Sequence, residues 1–275
     1  MRILVLSRRK TVLFFAIIIL SLLVYVWNVQ IVPSLTGAGT YFMIHTNQKV
    51  VALTFDDGPD PAFTEAILDI LKQKQVEATF FVIGKNASQN PSLLRRMVTE
   101  GHEIGNHGYT HNYNRRKMID ELKQTDQIVY TVTGTHTYFY RPPGGFVPKS
   151  QIEMIKNQGY IVTLWSVDGR DWRKPGVNRI ISNVVQNVFP GAIILLHDGG
   201  GMRSQTVLAL EQVIDELHAD GYRFVTLSEL RAFKLEFEEL PALYNTIKLN
   251  DGYSMALNGP SVINHRHWQE TMFNH

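Results

Sequence analysis

The 275-residue chain contains no cysteine. That excludes a disulfide framework and any thiolate metal ligand, so a metal site here must draw on histidine, carboxylate or water. Charge of one sign is missing too: 27 Lys and Arg against 25 Asp and Glu leave a net charge of only +2. There is no basic stripe of the kind that follows a nucleic-acid backbone, so no nucleic-acid partner is expected. Neither a GxGxxG fingerprint nor a phosphate loop occurs, which leaves nucleotide chemistry without support. Hydrophobic residues are not scarce. At 44% hydrophobic and 11% aromatic, the composition suits a packed core rather than disorder.

Long apolar runs are rare, and one stands out. Residues 11–32 carry no charge, and a spanning helix needs roughly 20 mostly apolar residues. Arg8, Arg9 and Lys10 precede the run, and no Lys or Arg follows it before Lys49. The positive-inside rule then makes residues 1–10 a cytoplasmic N-terminus and residues 11–32 a transmembrane anchor, with Tyr25 and Trp27 at the interface. The lipid bilayer is therefore an expected partner, and the localisation expected is single-pass in the cell membrane with the bulk of the chain outside the cytoplasm. A cleaved signal peptide is the alternative. Its apolar region would be unusually long, and Gly37-Ala38-Gly39 is a poor cleavage site.

Residues 33–47, broken by Pro33, Gly37 and Gly39, read as a linker. A domain over residues 48–235 follows, in which strand-like runs alternate with amphipathic helical stretches. The strands predicted are Val50–Phe55, Ala78–Ile83, Glu103–Asn106, Tyr138–Arg141, Ile161–Ser166, Ala192–His197 and Arg223–Leu227. The helices are Phe63–Lys74, Pro91–Thr99, Arg116–Thr131, Lys149–Asn157, Val177–Val188, Ser204–Ala219 and Ser228–Leu240. Gly101, Gly159, Gly191 and Gly221 sit where helix C-caps belong. This α/β alternation favours a distorted (β/α) barrel of about seven strands over an open doubly wound sheet. In the C-terminal extension, residues 236–275, a hairpin is expected around Asn250-Asp251-Gly252. His265, His267 and His275 read as a solvated terminus rather than as ligands.

The polar motifs cluster at predicted strand C-termini, where barrel active sites form. Thr54-Phe55-Asp56-Asp57-Gly58-Pro59 ends the first strand. Neighbouring side chains on a strand point to opposite faces, so Asp56 and Asp57 share a site only if the chain turns, and Gly58-Pro59 supplies a turn. Alone, such a pair is more often a turn whose carboxylates bond backbone amides. His107-Gly-Tyr-Thr-His111 follows the third strand. With Gly105 and Gly108 nearby, the two imidazoles are expected on a loop or helix edge. A lone His pair is usually surface, but with Asp57 it forms a His₂-carboxylate set that leaves one coordination position open. Asp56 is then left over as a base. Arg141 either favours an ionised Asp56 or caps the Pro142-Pro143 turn. His197 suits a general acid or a core position, with Asp171 orienting it by hypothesis. Trp172 is a sugar-stacking wall or core packing.

On these motifs, from about Lys49 to Leu230, the chain resembles the carbohydrate esterase family 4 polysaccharide deacetylases, the NodB homology domain. The resemblance implies Asp56 as catalytic base and Asp57, His107 and His111 as metal ligands. Arg141-Pro-Pro-Gly-Gly145 matches the motif whose arginine holds the base. Asp168-Gly-Arg-Asp171-Trp172 matches the one that supplies the acid's partner, Asp171, and a groove wall, Trp172. Leu195-Leu196-His197 implies His197 as general acid beside an apolar pocket for the acetyl methyl. The family often carries an aromatic residue where Gly144 stands. Gly144 keeps the N–H that the family uses as oxyanion donor and lacks the ring wall.

The activity implied is metal-dependent N-deacetylation of an N-acetylated amino-sugar polymer, with peptidoglycan first and chito-oligosaccharide or a secreted polyglucosamine as alternatives. The implied cofactor is a divalent metal, zinc first, since His₂Asp suits cobalt and nickel as well. Two rivals stand beside it. One is a carbohydrate-binding or morphogenetic protein on an inactive scaffold; the other is a metal phosphoesterase, for which only Arg141 is placed to hold a phosphate.

Overall fold

In a computed structural model of the protein, which describes residues 40–112 and 117–233, the run Val50–Asp56 forms strand β2 with every residue buried. Alternation along it decides what faces what. Val51, Leu53 and Phe55 pack into the cluster shared with the helices. Val50 and Ala52 join the opposite cluster with Phe81, Phe139 and Ile193. Thr54 and Asp56 continue that second set by period two. The concave side of the sheet is therefore apolar at its base and turns polar where the strands end.

The elements follow in order. Strand β1 is Thr40–Tyr41, and β2 leads into helix α1 (Phe63–Lys74), β3 (Thr79–Val82), α2 (Gly84–Gln89), α3 (Pro91–Thr99) and β4 (Glu103–Asn106). Helix α4 (Met118–Thr133), β5 (Phe139–Tyr140), α5 (Lys149–Lys156), β6 (Ile161–Thr163) and β7 (Val167–Asp168) come next. Helix α6 (Val177–Val185), β8 (Ile193–His197), α7 (Ser204–Ala219) and β9 (Arg223–Phe224) complete the set. Spatial order is β1-β6-β5-β4-β3-β2-β8-β7, with β9 beside β2, and the named pairs are parallel. Residues 161–168 cross from β6, next to the edge strand β1, to β7 at the opposite edge of this order. The first part pairs Phe139↔Ile161 with β5, and the last pairs Val167↔Ile194 with β8. The sheet is thereby a curled, parallel (β/α) half-barrel with helices on its convex side.

Helices α1, α3 and α7 and strand β4 fall on their predicted bounds. Gly101, Gly159 and Gly221 follow helix ends with positive φ, as expected. Gly191 also has positive φ but is no cap: α6 ends at Val185, and the Gly191 N–H donates to Val50 O (2.8 Å). Elsewhere the elements depart from expectation: helix α6 ends at Val185 and not Val188, and β1 lies inside the expected linker 33–47. The expected strand Ile161–Ser166 splits because its backbone changes partner: Leu164 N–H donates to Tyr41 O (2.6 Å), whereas Ser166 N–H donates to Ile193 O (2.9 Å). The expected strand Arg223–Leu227 stops at Phe224, because Thr226 and Glu229 form a reciprocal capping box, Thr226 N to Glu229 Oε2 at 2.8 Å and Glu229 N to Thr226 Oγ1 at 3.3 Å. Residues 227–233 are already helical. Helix α2 was not predicted, since so short a segment shows no apolar period.

Among the described residues no helix is long and apolar enough to cross a membrane. The expected anchor at 11–32, the tail hairpin, and His265, His267 and His275 lie outside the described residues.

Candidate metal centre and active site

Strand β2 delivers Asp56 on the concave side, and the chain turns at once. Asp57 has φ 76°, a left-handed backbone that costs a non-glycine residue about 1–2 kcal/mol. The turn brings both carboxylates to one site, as Gly58-Pro59 suggested. After β4, His107–His111 is irregular, with Gly108 at φ 80° and His111 at φ 56°. Its course is held by Glu121 of α4, whose Oε2 accepts the N–H groups of Tyr109 (3.0 Å) and Thr110 (3.2 Å). Asn106 Oδ1 accepts Gly108 N–H at 2.9 Å.

The consequence is a three-residue cluster. Asp57 Oδ1 lies 3.4 Å from His107 Nε2 and 3.3 Å from His111 Nε2. One donor atom from each of Asp57, His107 and His111 lies within 4.8 Å of the other two. Asp57 Oδ1 is buried and makes no hydrogen bond, an arrangement that is costly unless something else satisfies it. His107 Nδ1 is 2.7 Å from Arg141 O. Its N–H donates there, which leaves the Nε2 lone pair directed at the cluster. An orphaned carboxylate oxygen between two such imidazoles fits a divalent cation.

The electrostatics agree. Burial alone would raise the Asp57 pKa, but contact with His107 and the charges of His107, His197 and His111 hold its carboxyl well below the ordinary range. Burial alone would lower that of His107, yet Asp56 and Asp57 raise it. Burial and the neighbouring His107 lower that of His111. The aspartates thus hold positive charge at His107, charge that a cation would supply in place of a proton.

Asp56 stands beside this cluster, its Oδ2 3.8 Å from His107 Nε2. Its Oδ1 accepts Arg141 Nη1–H at 2.7 Å. Arg141, fully buried, also donates to Thr54 Oγ1 (2.9 Å) and Leu164 O (3.0 Å), with the Phe81 ring 4.1 Å from its guanidinium carbon. A mere cap on the proline turn would not reach this far. On the other flank, strand register sets Asp56 opposite His197. His197 Nδ1 is 2.7 Å from Asp171 Oδ1, and Asp171 Oδ2 accepts His197 N–H (2.8 Å) and Thr206 Oγ1–H (2.7 Å). Burial opposes the charged imidazole, but Asp171 outweighs it and raises the His197 pKa.

The remaining predicted residues divide. Gly144 lies in the 3-10 turn Pro143–Gly145 at φ 69°, three residues after Arg141. Trp172, in the turn Asp171–Arg173, is 43% exposed with the Arg173 guanidinium 4.6 Å over one ring face, so it is not core packing. Leu195 shares the strand side of His197. Leu196 does not: it belongs to the helix-facing core and packs beside Gly169. Thr54, Asn106, Glu121, Thr206 and Asp198 support the site and were not singled out. Asp198 is 1% exposed, and burial pushes its carboxyl up to about 7. Its signal was adjacency to His197.

A family profile described as polysaccharide deacetylase matches residues 44–163. A peptidoglycan-N-acetylglucosamine deacetylase of Bacillus cereus is 45% identical over 196 residues, spanning 70% of this chain and 92% of its own. A chitooligosaccharide deacetylase of Sinorhizobium fredii is 39% identical over 192 residues, covering 64% of this chain and 89% of its own. Among solved structures, a crystal structure of a peptidoglycan N-acetylglucosamine deacetylase matches with a TM-score of 0.68 at 40% identity, over 70% of this chain and 92% of that one.

Proposed function

This chain belongs to the polysaccharide deacetylase family, carbohydrate esterase family 4, and we infer from that membership and its site that it hydrolyses the acetamide of an N-acetylated amino-sugar polymer. Peptidoglycan is the substrate we propose, in line with the names of its relatives in Bacillus cereus. One observation carries the mechanism: an arginine-held carboxylate and a carboxylate-held histidine flank a single His₂Asp cluster.

Asp57, His107 and His111 would hold the metal of this metal-dependent family, which when bound supplies a Lewis acid that polarises the acetamide carbonyl and makes water nucleophilic near neutral pH. Zinc is the ion we propose, with cobalt and nickel able to replace it. Asp56, held in place by the Arg141 hydrogen bond, takes the proton of the attacking water. We assign the Gly144 N–H to the developing oxyanion, where one such donor is typically worth about 10²–10³ in rate. His197, kept charged by Asp171, protonates the amide nitrogen as the C–N bond breaks, leaving acetate and a free amine. The open face of Trp172 stacks on a sugar ring.

We further propose that residues 11–32 anchor the chain in the cell membrane with the catalytic domain outside. Support comes from the uncharged run and its flanking Arg8, Arg9 and Lys10.

The test is Asp56→Asn in the full chain. Acetate release from muropeptides and chitin oligomers, followed by mass spectrometry, should fall about 10²–10⁴-fold, the usual contribution of a positioned base. Metal content should stay at the wild-type level. Wild-type acetate release by this variant would refute the assignment of the base. Faster release from chitin oligomers than from muropeptides would overturn the substrate.

A further inference from the structure

The backbone at Asp57 is unusual for an aspartate, and the reason lies in the residue after the proposed general acid. The Asp57–Gly58 peptide is held at both of its polar atoms. Asn86 Nδ2 donates to Asp57 O at 2.8 Å. On the other side of the same peptide, Gly58 N–H donates to Asp198 Oδ1 at 3.0 Å. Asp198 is anchored in turn: Thr64 Oγ1–H donates to its Oδ2 at 2.6 Å, and its own N–H donates to Asp56 O at 3.1 Å. Fixing this peptide plane fixes ψ of Asp57, whose φ of 76° already lies in the left-handed region. The fit leaves no slack, since a Cβ added at Gly58 would fall 2.0 Å from Asp198 Oδ2.

We propose that Asp198 is a positioning residue for the metal centre, clamping the Gly58 amide so that the Asp57 carboxylate points between His107 and His111. The inference rests on the metal-dependent reading of that cluster. It assigns the buried carboxylate of Asp198 a task outside proton transfer. It also ties the metal-ligand turn to the strand that carries His197, because Asp198 is the next residue along. Partners that orient metal ligands typically alter metal affinity by 10–100-fold when removed.

The experiment loads the metal-free full chain with Co²⁺ and follows the visible ligand-field absorption, with far-ultraviolet circular dichroism as the check on folding. Asp198→Ala should keep the helical signal, weaken Co²⁺ binding by 10–100-fold and change the absorption band shape. Asp198→Asn keeps an acceptor for Gly58 N–H, so it should bind within about threefold of wild type, a rescue that a general loss of packing would not give. Should the alanine variant fail to fold, Asp198→Glu makes the same comparison. Its extra methylene displaces the acceptor and should weaken Co²⁺ binding at least about tenfold. Wild-type affinity and spectrum in the Ala variant, or in the Glu variant if Ala does not fold, would overturn the clamp. Failure of the wild-type chain itself to bind Co²⁺ would instead overturn the metal reading on which it rests.

Discussion

Arg141 and Asp56 form an ion pair shut away from solvent on both sides, 2.7 Å apart with side-chain exposures of 0% and 5%. Removing one partner of such a pair leaves an uncompensated buried charge, which typically costs about 3–5 kcal/mol. Arg141→Met should therefore lower the urea-unfolding free energy by about that much. In an Asp56→Asn background the same change should cost markedly less, because no orphaned carboxylate remains. Arg141→Lys keeps the charge yet cannot reach Asp56, Thr54 and Leu164 O together. It should lose about 10²-fold or more in deacetylation, as the base loses its alignment. Equal destabilisation by Arg141→Met in both backgrounds would show that the pair is not coupled.

The second flank predicts a pH effect. Burial disfavours the charged His197, but the Asp171 hydrogen bond and charge raise its pKa above the ordinary value. A general acid works while protonated, so rate is lost as pH rises through this raised value. Asp171→Asn removes the charge and lets burial dominate. The alkaline limb of the kcat profile should then move to lower pH. The stability linkage has the same sign. The pair's contribution is complete below the unfolded histidine value, about 6.5, and is lost as pH rises through the folded one. Wild-type chain should lose this increment on the alkaline side, while Asp171→Asn should show no such loss. An unmoved alkaline limb in the variant would remove His197 from the acid role.

Much of this arrangement is legible in the residues themselves. Asp56, Asp57, His107, His111, Arg141 and His197 announce themselves because each chemistry-bearing type stands where an apolar run ends, and a parallel barrel gathers strand ends on one rim. The strand parity that sends Thr54, Asp56, Leu195 and His197 to the concave side follows from period two alone. What was not legible depends on partners distant in the chain. Nothing local reveals that Asp198 reaches Gly58, that Glu121 braces His107–His111, or that Thr206 holds Asp171. Leu196 belongs to the motif Leu195-Leu196-His197, yet alternation sends its side chain to the helices and away from the rim. Thr226-Leu-Ser-Glu229 is a capping box that could have been read directly, and it would have ended the last strand where the structure ends it.

A final prediction separates a ligand-positioning effect from ordinary backbone strain. Gly200 follows His197-Asp198-Gly199, has φ 70°, and a Cβ there would lie 2.3 Å from Asp57 Oδ2. Gly134, the C-cap of α4, has the similar φ of 74° but nothing within 4 Å of an added Cβ. Alanine at either position pays the left-handed penalty of about 1–2 kcal/mol, and Gly200→Ala must in addition displace Asp57, so metal-free it should unfold at a urea concentration no higher than Gly134→Ala does. They should part company on metal. The added methyl in Gly200→Ala pushes against a carboxylate whose other oxygen faces His107 and His111, so affinity should fall by about 10–100-fold and deacetylation with it. Gly134→Ala should bind metal and release acetate as wild type does. Because unfolding of the loaded protein gains RT ln(1 + [L]/Kd), that loss also appears as about 1.4–2.7 kcal/mol less stabilisation at a fixed excess of metal. Equal metal stabilisation of the two variants would mean that the glycine run after His197 shapes the backbone without setting the position of Asp57.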